Sequence, residues 1–247
     1  MLKISYTLKG LHLNEPWFAS KVPTEDASLL DLYCYRDSTV DSDTFGLKKE
    51  KKYTLTHDLT QDEEDLFSSF KSNVRNEIRK HSKIENFVYH ADFKSKTLFI
   101  EFYKAFAKAK GLASIEARSI DKYGENLFYI YAYLEEELTN MQVYIMDEES
   151  GTIRLLHSIS TLYDEQHDKQ KQAKIGWINR YLHWYTMLHF KKRLFKTFDW
   201  GGYTNDPDSP LAGIDKFKAS FGGKKTVLYD YYSLPYYAIK VLKERSL

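Results

Sequence analysis

The sequence predicts an α/β protein: a mixed, mostly antiparallel sheet with helices on both faces. Three observations carry this reading. Apolar residues recur at helical spacing over residues 60–83, 98–110 and 175–196. Between the second and third of these lie three runs rich in aromatic and β-branched residues, LFYIYAYL, NMQVYIM and TIRLLHSIS. The chain also holds 20 Tyr and 15 Phe among 247 residues but only 11 Gly and 5 Pro, a composition that folds and contains strands.

In chain order, residues 1–57 read as short strands and loops forming an N-terminal extension, and 58–247 as the main domain. ISYTL and SLLDLYCY are the apolar runs of the extension, and Lys48 to Lys52 reads as a charged, exposed connector. Thr60 and Glu63 have capping-box spacing, so a helix is expected to open there. Acidic residues at 62–65 and basic ones at Arg75, Arg79, Lys80 and Lys83 suit its dipole, and Leu66, Phe67, Phe70, Val74 and Ile78 form its apolar stripe. A second helix is expected over Leu98–Lys110, with Leu98, Phe102, Phe106 and Ala109 inward and Gly111 as its stop. The three strands at 127–134, 140–146 and 152–160 make a meander, with turns at EEEL and at DEESG. Residues 163–174 read as a polar, mobile loop, and a mostly buried helix follows over Ile175–Lys196. Then come a short strand ending in Gly201 and Gly202, a polar loop, a short helix, a second glycine pair at Gly222 and Gly223, a strand at 227–234 and a closing helix at 236–244.

Formal net charge is +1, so no global field points to nucleic acid or to an acidic surface. Cys34 is the only cysteine, and no disulfide framework or cysteine-rich metal site can form within the chain. No H-x-x-x-H pattern or acidic cluster reads as a metal site, and no run has the apolar length needed to span a bilayer. The start of the chain lacks the apolar segment of a signal peptide, and the expectation is a soluble cytoplasmic protein without membrane insertion.

The stretch FDWGGYTNDPDSPLAGIDKFKASFGG (198–223) concentrates glycine around a Phe217–Lys218 pair. Glycine admits close backbone approach and positive φ, so the stretch is either a site or two ordinary turns. Four segments together resemble the GNAT acyltransferase superfamily, and within it the FemAB-like branch in a small single-domain form. They are FKSNVRNEIRKHSK with its R-x-x-I-R-K core, RLLHSIS followed by GWINRYLHW, FDWGG, and GIDKFKASFGG. They span about residues 60–235 in the order the family shows.

The resemblance implies a GNAT-like fold and transfer of an acyl or aminoacyl group to an amine by direct attack, without a covalent enzyme intermediate. The donor it implies is an acyl-CoA, most simply acetyl-CoA, with no metal. The acceptor is a small-molecule or nucleotide-linked amine, such as an amino-sugar precursor of a surface polysaccharide or of the cell envelope. An aminoacyl-tRNA donor and a catalytically silent binding module are the alternatives. Two departures bear on these. The pyrophosphate turn of many GNAT enzymes is reduced to KQAKIGWINR, with Gly176 alone, and the residues before Asp58 are too few for the complete first domain of tRNA-dependent FemAB enzymes.

Site residues follow from the same resemblance. Lys218 would face the reacting carbonyl and stabilise an oxyanion or a donor phosphate, with Phe217 as a pocket wall. Asp199 would take the amine proton or orient another base, or else bond loop amides around Gly201 and Gly202. His157 is a candidate base, or a structural strand histidine. Asn179 and His183, four apart on one helix face, line the cleft or lock the helix to the glycine-rich loops. Arg75 and Arg79, also four apart, would clamp an anionic part of a substrate, with a solvated helix end as the other reading.

Overall fold

The computed structural model describes residues 1–8, 10–21, 32–162 and 164–244. Ser28 to Asp31 of the SLLDLYCY run and Tyr163 of the expected loop lie outside the described residues. The chain forms two compact units, one of residues 1–55, 202–212 and 225–247 and the other of residues 56–201 and 213–224.

The first unit contains the N-terminal segment together with later strands. β1 (Leu2–Leu8) and β2 (Leu11–Trp17) form an antiparallel hairpin around Gly10, whose φ is 80°. β2 runs parallel to β3 (Cys34–Ser38), β3 pairs antiparallel with β10 (Lys224–Ser233), and β4 (Leu47–Asp58) lies beyond β10. Leu13, Cys34 and Tyr232 form an apolar core with Tyr236 of α7 (Leu234–Glu244). Lys48–Lys52, expected as an exposed connector, is part of β4. The run is a strand because it pairs in the sheet beside β10, and Lys52 there reaches a charge cluster. Its Nζ pairs with Asp37 and lies 2.6 Å from Asp230, while Arg36 reaches Asp230 at 3.1 Å and Glu15 at 3.6 Å. Burial would raise the Asp230 pKa, but Lys52 and Arg36 outweigh it and hold the carboxyl low.

The second unit carries the expected meander. β5 (Phe87–Asp92), β6 (Leu127–Leu134), β7 (Glu137–Asp147) and β8 (Thr152–Ser160) are successively antiparallel, and β9 (Thr197–Tyr203) pairs parallel with β8. Helices cover both faces. On β6, Phe128 meets Phe190 of α5 (Lys169–Lys192) at 4.9 Å, while its neighbour Tyr129 meets Phe99 of α3 (Lys96–Lys110) at 6.3 Å. Successive strand residues point to opposite faces, so α5 and α3 flank the sheet from opposite sides.

Three helices differ from the sequence reading. The first is two helices, α1 (Glu63–Ser68) and α2 (Ser72–Lys80). Its N-cap is Asp62, and no capping box forms because Thr60 donates instead to Asp58 Oδ1 at 2.6 Å. The chain breaks at 69–71 where Lys71 N–H bonds Ser220 O at 2.9 Å and Phe70 turns into the core. In α3 the buried residues are Phe99 and Ala107. Phe102, Phe106 and Ala109 line a cleft of about 630 Å3 with Ser160, Thr161 and Asp164. α5 starts at Lys169, inside the expected loop, because the Asp168 carboxylate accepts from Lys171 N–H at 2.7 Å and caps it. A short α4 (Ala117–Asp121) and α6 (Ala212–Ser220) complete the set.

Candidate active site

The candidate site forms where β8 and β9 run parallel for three residue pairs, ending at Arg154↔Asp199. Phe198 and Trp200 alternate with Asp199 and bury their rings. Asp199 is itself buried. Its Oδ1 accepts from Gly201 N–H at 2.7 Å, and its Oδ2 lies 3.4 Å from Arg154 Nη1. The carboxylate is therefore held by a loop amide and a guanidinium.

Lys218 on α6 is only 9% exposed. Burial pushes its ammonium down to about 8, the positive charge of Arg154 adds to this, and Asp199 and Asp215 oppose it. A lysine so placed changes charge just above neutrality, which a solvated lysine does not.

Beside it lies a buried polar chain. Gln142 Nε2 donates to Asn179 O (3.0 Å) and Oδ1 (2.9 Å), and Gln142 Oε1 accepts from Tyr144 Oη at 2.7 Å. Tyr144 Oη in turn lies 2.8 Å from His183 Nδ1. With the tyrosine proton given to Gln142, the network assigns the His183 proton to Nδ1 and leaves Nε2 as an acceptor. That nitrogen is buried without a hydrogen-bond partner, in a ring packed against Trp200 (4.7 Å), Phe217 (5.7 Å) and Phe221 (5.8 Å). Burial keeps the imidazole well below its ordinary pKa, and Lys218 and Arg180 reinforce this. Asn179 and His183 thus tie α5 to β7, and His183 also meets the aromatic side of α6.

The glycines hold backbone against backbone. A Cβ at Gly201 (φ 73°) would sit 2.7 Å from Leu155 O, and one at Gly222 (φ 77°) 2.5 Å from Ser69 O. At Gly223 it would meet His57 Nε2 and Thr56 O at 3.0 Å, whereas Gly202 has open space. Three of the four glycines are thus required by packing and by φ.

His157 is brought against Phe99 (5.2 Å) and Tyr103 (5.6 Å) of α3, and burial pushes it down to about 4. The Arg75 guanidinium donates to Ser68 O at 2.8 Å and to Phe70 O, closing the end of α1. Arg79 lies over the Phe67 ring at 5.2 Å. Both arginines therefore have partners within the α1–α2 region.

The α5 N-terminus is where a donor pyrophosphate would be expected. The Asp168 carboxylate occupies it, and the first-turn Lys171 is paired at 2.7 Å with Glu137. Gly176 lies inside α5, not at a turn. These residues do not fit a pyrophosphate cradle, since bound phosphate would have to displace one carboxylate and face another. Among the described residues no group of three or more His, Cys, Asp or Glu could hold a metal ion.

Sequence reasoning missed Arg154, Gln142, Tyr144, Asp215 and Asp168. Arg154 had a visible signal, as the one lysine or arginine in its strand. Gln142 and Tyr144 had none, because their importance comes from partners on a distant helix.

The element order, the meander and the parallel β8–β9 pair match a GNAT-like fold. Among solved structures, FemX is similar over 97% of this chain and 85% of its own, with a TM-score of 0.66 and 11% identity. L-PGS from Bacillus licheniformis is similar over 98% of this chain and 84% of its own (TM-score 0.58, 13% identity). The C-terminal domain of a putative lysylphosphatidylglycerol synthetase from Agrobacterium fabrum is similar over 87% and 72% (TM-score 0.54, 12% identity). At these identities the likeness is one of fold. No family model matches the chain, and no curated protein matches its sequence.

Proposed function

We propose that the protein is an N-acyltransferase, moving an acyl group from an activated ester or thioester to an amino group by direct attack. The observation that supports this best is Lys218, a buried cation beside the end of the parallel β8–β9 pair, in a fold shared with acyltransferases. The amine nitrogen attacks the carbonyl carbon, and a C–N bond forms as the carbonyl oxygen becomes an oxyanion. Collapse of that intermediate breaks the C–S or C–O bond, the leaving group departs with the electron pair, and the ammonium releases its proton to a base or to water. The Lys218 ammonium stabilises the oxyanion, and in a site shielded from water its effect is large. Asp199 orients Arg154 and balances the positive charge around Lys218. His183 and its polar chain fix the wall against which α6 packs. The acceptor is a small-molecule or nucleotide-linked amine, with amino-sugar and cell-envelope precursors the first to try.

Acyl-CoA is the first donor to test, although the closed end of α5 offers it no phosphate cradle. That closed end favours a second reading, in which the donor is an aminoacyl ester carried by tRNA. Incubation with acyl-CoA and aminoacyl-tRNA panels and amine acceptors, read by mass spectrometry, tests both. With the active donor in hand, Lys218→Met is expected to lower kcat about a hundredfold or more while leaving the circular dichroism spectrum unchanged. Full turnover by a folded Lys218→Met would sink the site assignment.

A further inference from the structure

One face of α3 carries an apolar stripe that lines a cleft instead of the core. Phe102, Ala105, Phe106 and Ala109 recur at helical spacing and so share that face. Phe99 and Tyr103, which meet His157 of β8, lie on another. The cleft of about 630 Å3 that the four residues line has the size of a small-ligand site. Its facing wall comes from the end of β8 and the residues that follow, and that wall is polar. The Thr161 hydroxyl oxygen is buried there without a hydrogen-bond partner. A hydroxyl left so costs stability until something bonds it. Asp164 and Glu165 belong to the same wall. Asp164 Oδ1 accepts from Gln166 N–H at 3.0 Å, and among the described residues neither carboxylate is in an ion pair.

We propose that this cleft binds a small amphipathic cation, a protonated amine carried on an apolar, ring-sized body. The body lies against Phe102 and Phe106, and the ammonium donates to the Thr161 hydroxyl oxygen and to the Asp164 and Glu165 carboxylates. Charge selects this occupant. Among the described residues that line the cleft, two carboxylates stand against one ammonium, Lys110. Lys104 and Lys108 of the same helix fall roughly 110° or more around it from the centre of the apolar stripe. An anion would face both carboxylates, and a neutral ligand would leave them unmatched. The site is separate from Lys218. Ser160 at the cleft and Arg154 beside Asp199 stand six residues apart on β8, about 20 Å of strand. An ammonium held here is therefore not the amine that would react at Lys218, and the proposal does not depend on acyl transfer.

The test is an NMR titration of the full, isotope-labelled chain at neutral pH and fixed ionic strength with three probes of one shape: phenethylammonium, 2-phenylethanol and phenylacetate. Phenethylammonium is expected to bind saturably, with a Kd of about 1 mM or tighter, and to shift the amide signals of Ala105, Ala109 and Ser160. The alcohol should bind roughly fivefold or more weakly, and phenylacetate should not saturate. The double variant Asp164→Asn, Glu165→Gln, with its remaining spectrum native-like, should lose roughly tenfold in affinity for phenethylammonium and bind it no better than the alcohol. Absence of saturable binding, equal affinity for the alcohol or for phenylacetate, shifts centred away from the cleft, or native affinity in the double variant would each overturn the proposal. The comparison among the three probes needs only the native chain, so it decides the matter even where the variant fails to fold.

Discussion

A buried ammonium that titrates near neutrality gives Lys218 two measurable signatures. If its charge stabilises the oxyanion, turnover should fall as the pH passes about 8, where the ammonium is lost. A profile that instead rises through about 8 would make Lys218 the proton acceptor. Stability should move the opposite way. The folded pKa lies below the ordinary value, so between about 8 and 10.5 the unfolded chain holds a proton that the folded chain does not, and stability rises with pH across that window. Lys218 stood out in the sequence as a candidate, because the glycine-flanked Phe-Lys pair resembles a family motif. The groups that tune it did not. Arg154 lies far from it in the chain, and only the folded sheet brings its charge to bear, while Asp215 stands one turn back on the same helix.

At the level of elements, the glycine pairs turn out to be joints. Gly222 lets the end of α6 pass within contact of the carbonyl that closes α1, and Phe221 just before it packs on Phe70 at 5.3 Å. Gly222→Ala is therefore expected to destabilise the protein by about 2 kcal/mol or more, measured by urea unfolding, from the positive φ and the blocked approach together. A loss below roughly 0.5 kcal/mol would show that the joint has slack. The meander and the long α5 were legible from periodicity because their apolar patterns are long. The split between α1 and α2 was not, because the stripe continues across it. What breaks that helix is a backbone bond from Lys71 to Ser220, and residue spacing carries no trace of such a bond. The early start of α5 was hidden for a related reason, as Asp168 opens a polar first turn that reads as loop.

Across the molecule, two buried histidines and one half-buried histidine make acid the weak side. Burial pushes His57 and His157 to about 4 and holds His183 well below its ordinary value. As pH falls from about 6.5 toward 4, the unfolded chain takes up protons that these folded imidazoles refuse. Stability then drops by up to about 1.4 kcal/mol per pH unit for each. Urea midpoints measured at about pH 7 and about pH 5 should show the loss, and His57→Gln should flatten it; an unchanged midpoint would mean that these rings open to water before they titrate. The α/β class was readable from composition and element order, whereas the membership of the first unit was not, since strands as far apart in sequence as β4 and β10 carry no local sign of partnership. That membership has a consequence for synthesis. β10 lies between β3 and β4, and its Asp230 carboxylate pairs with both Arg36 and Lys52. During translation β3 and β4 must wait, the edges that flank β10 unpaired and Arg36 and Lys52 left with Glu15 and Asp37 alone, until residues 224–233 leave the ribosome. The unit that contains the first strand of the chain is therefore the last to close, and a nascent chain stalled before Lys224 should be the species that chaperones and proteases meet.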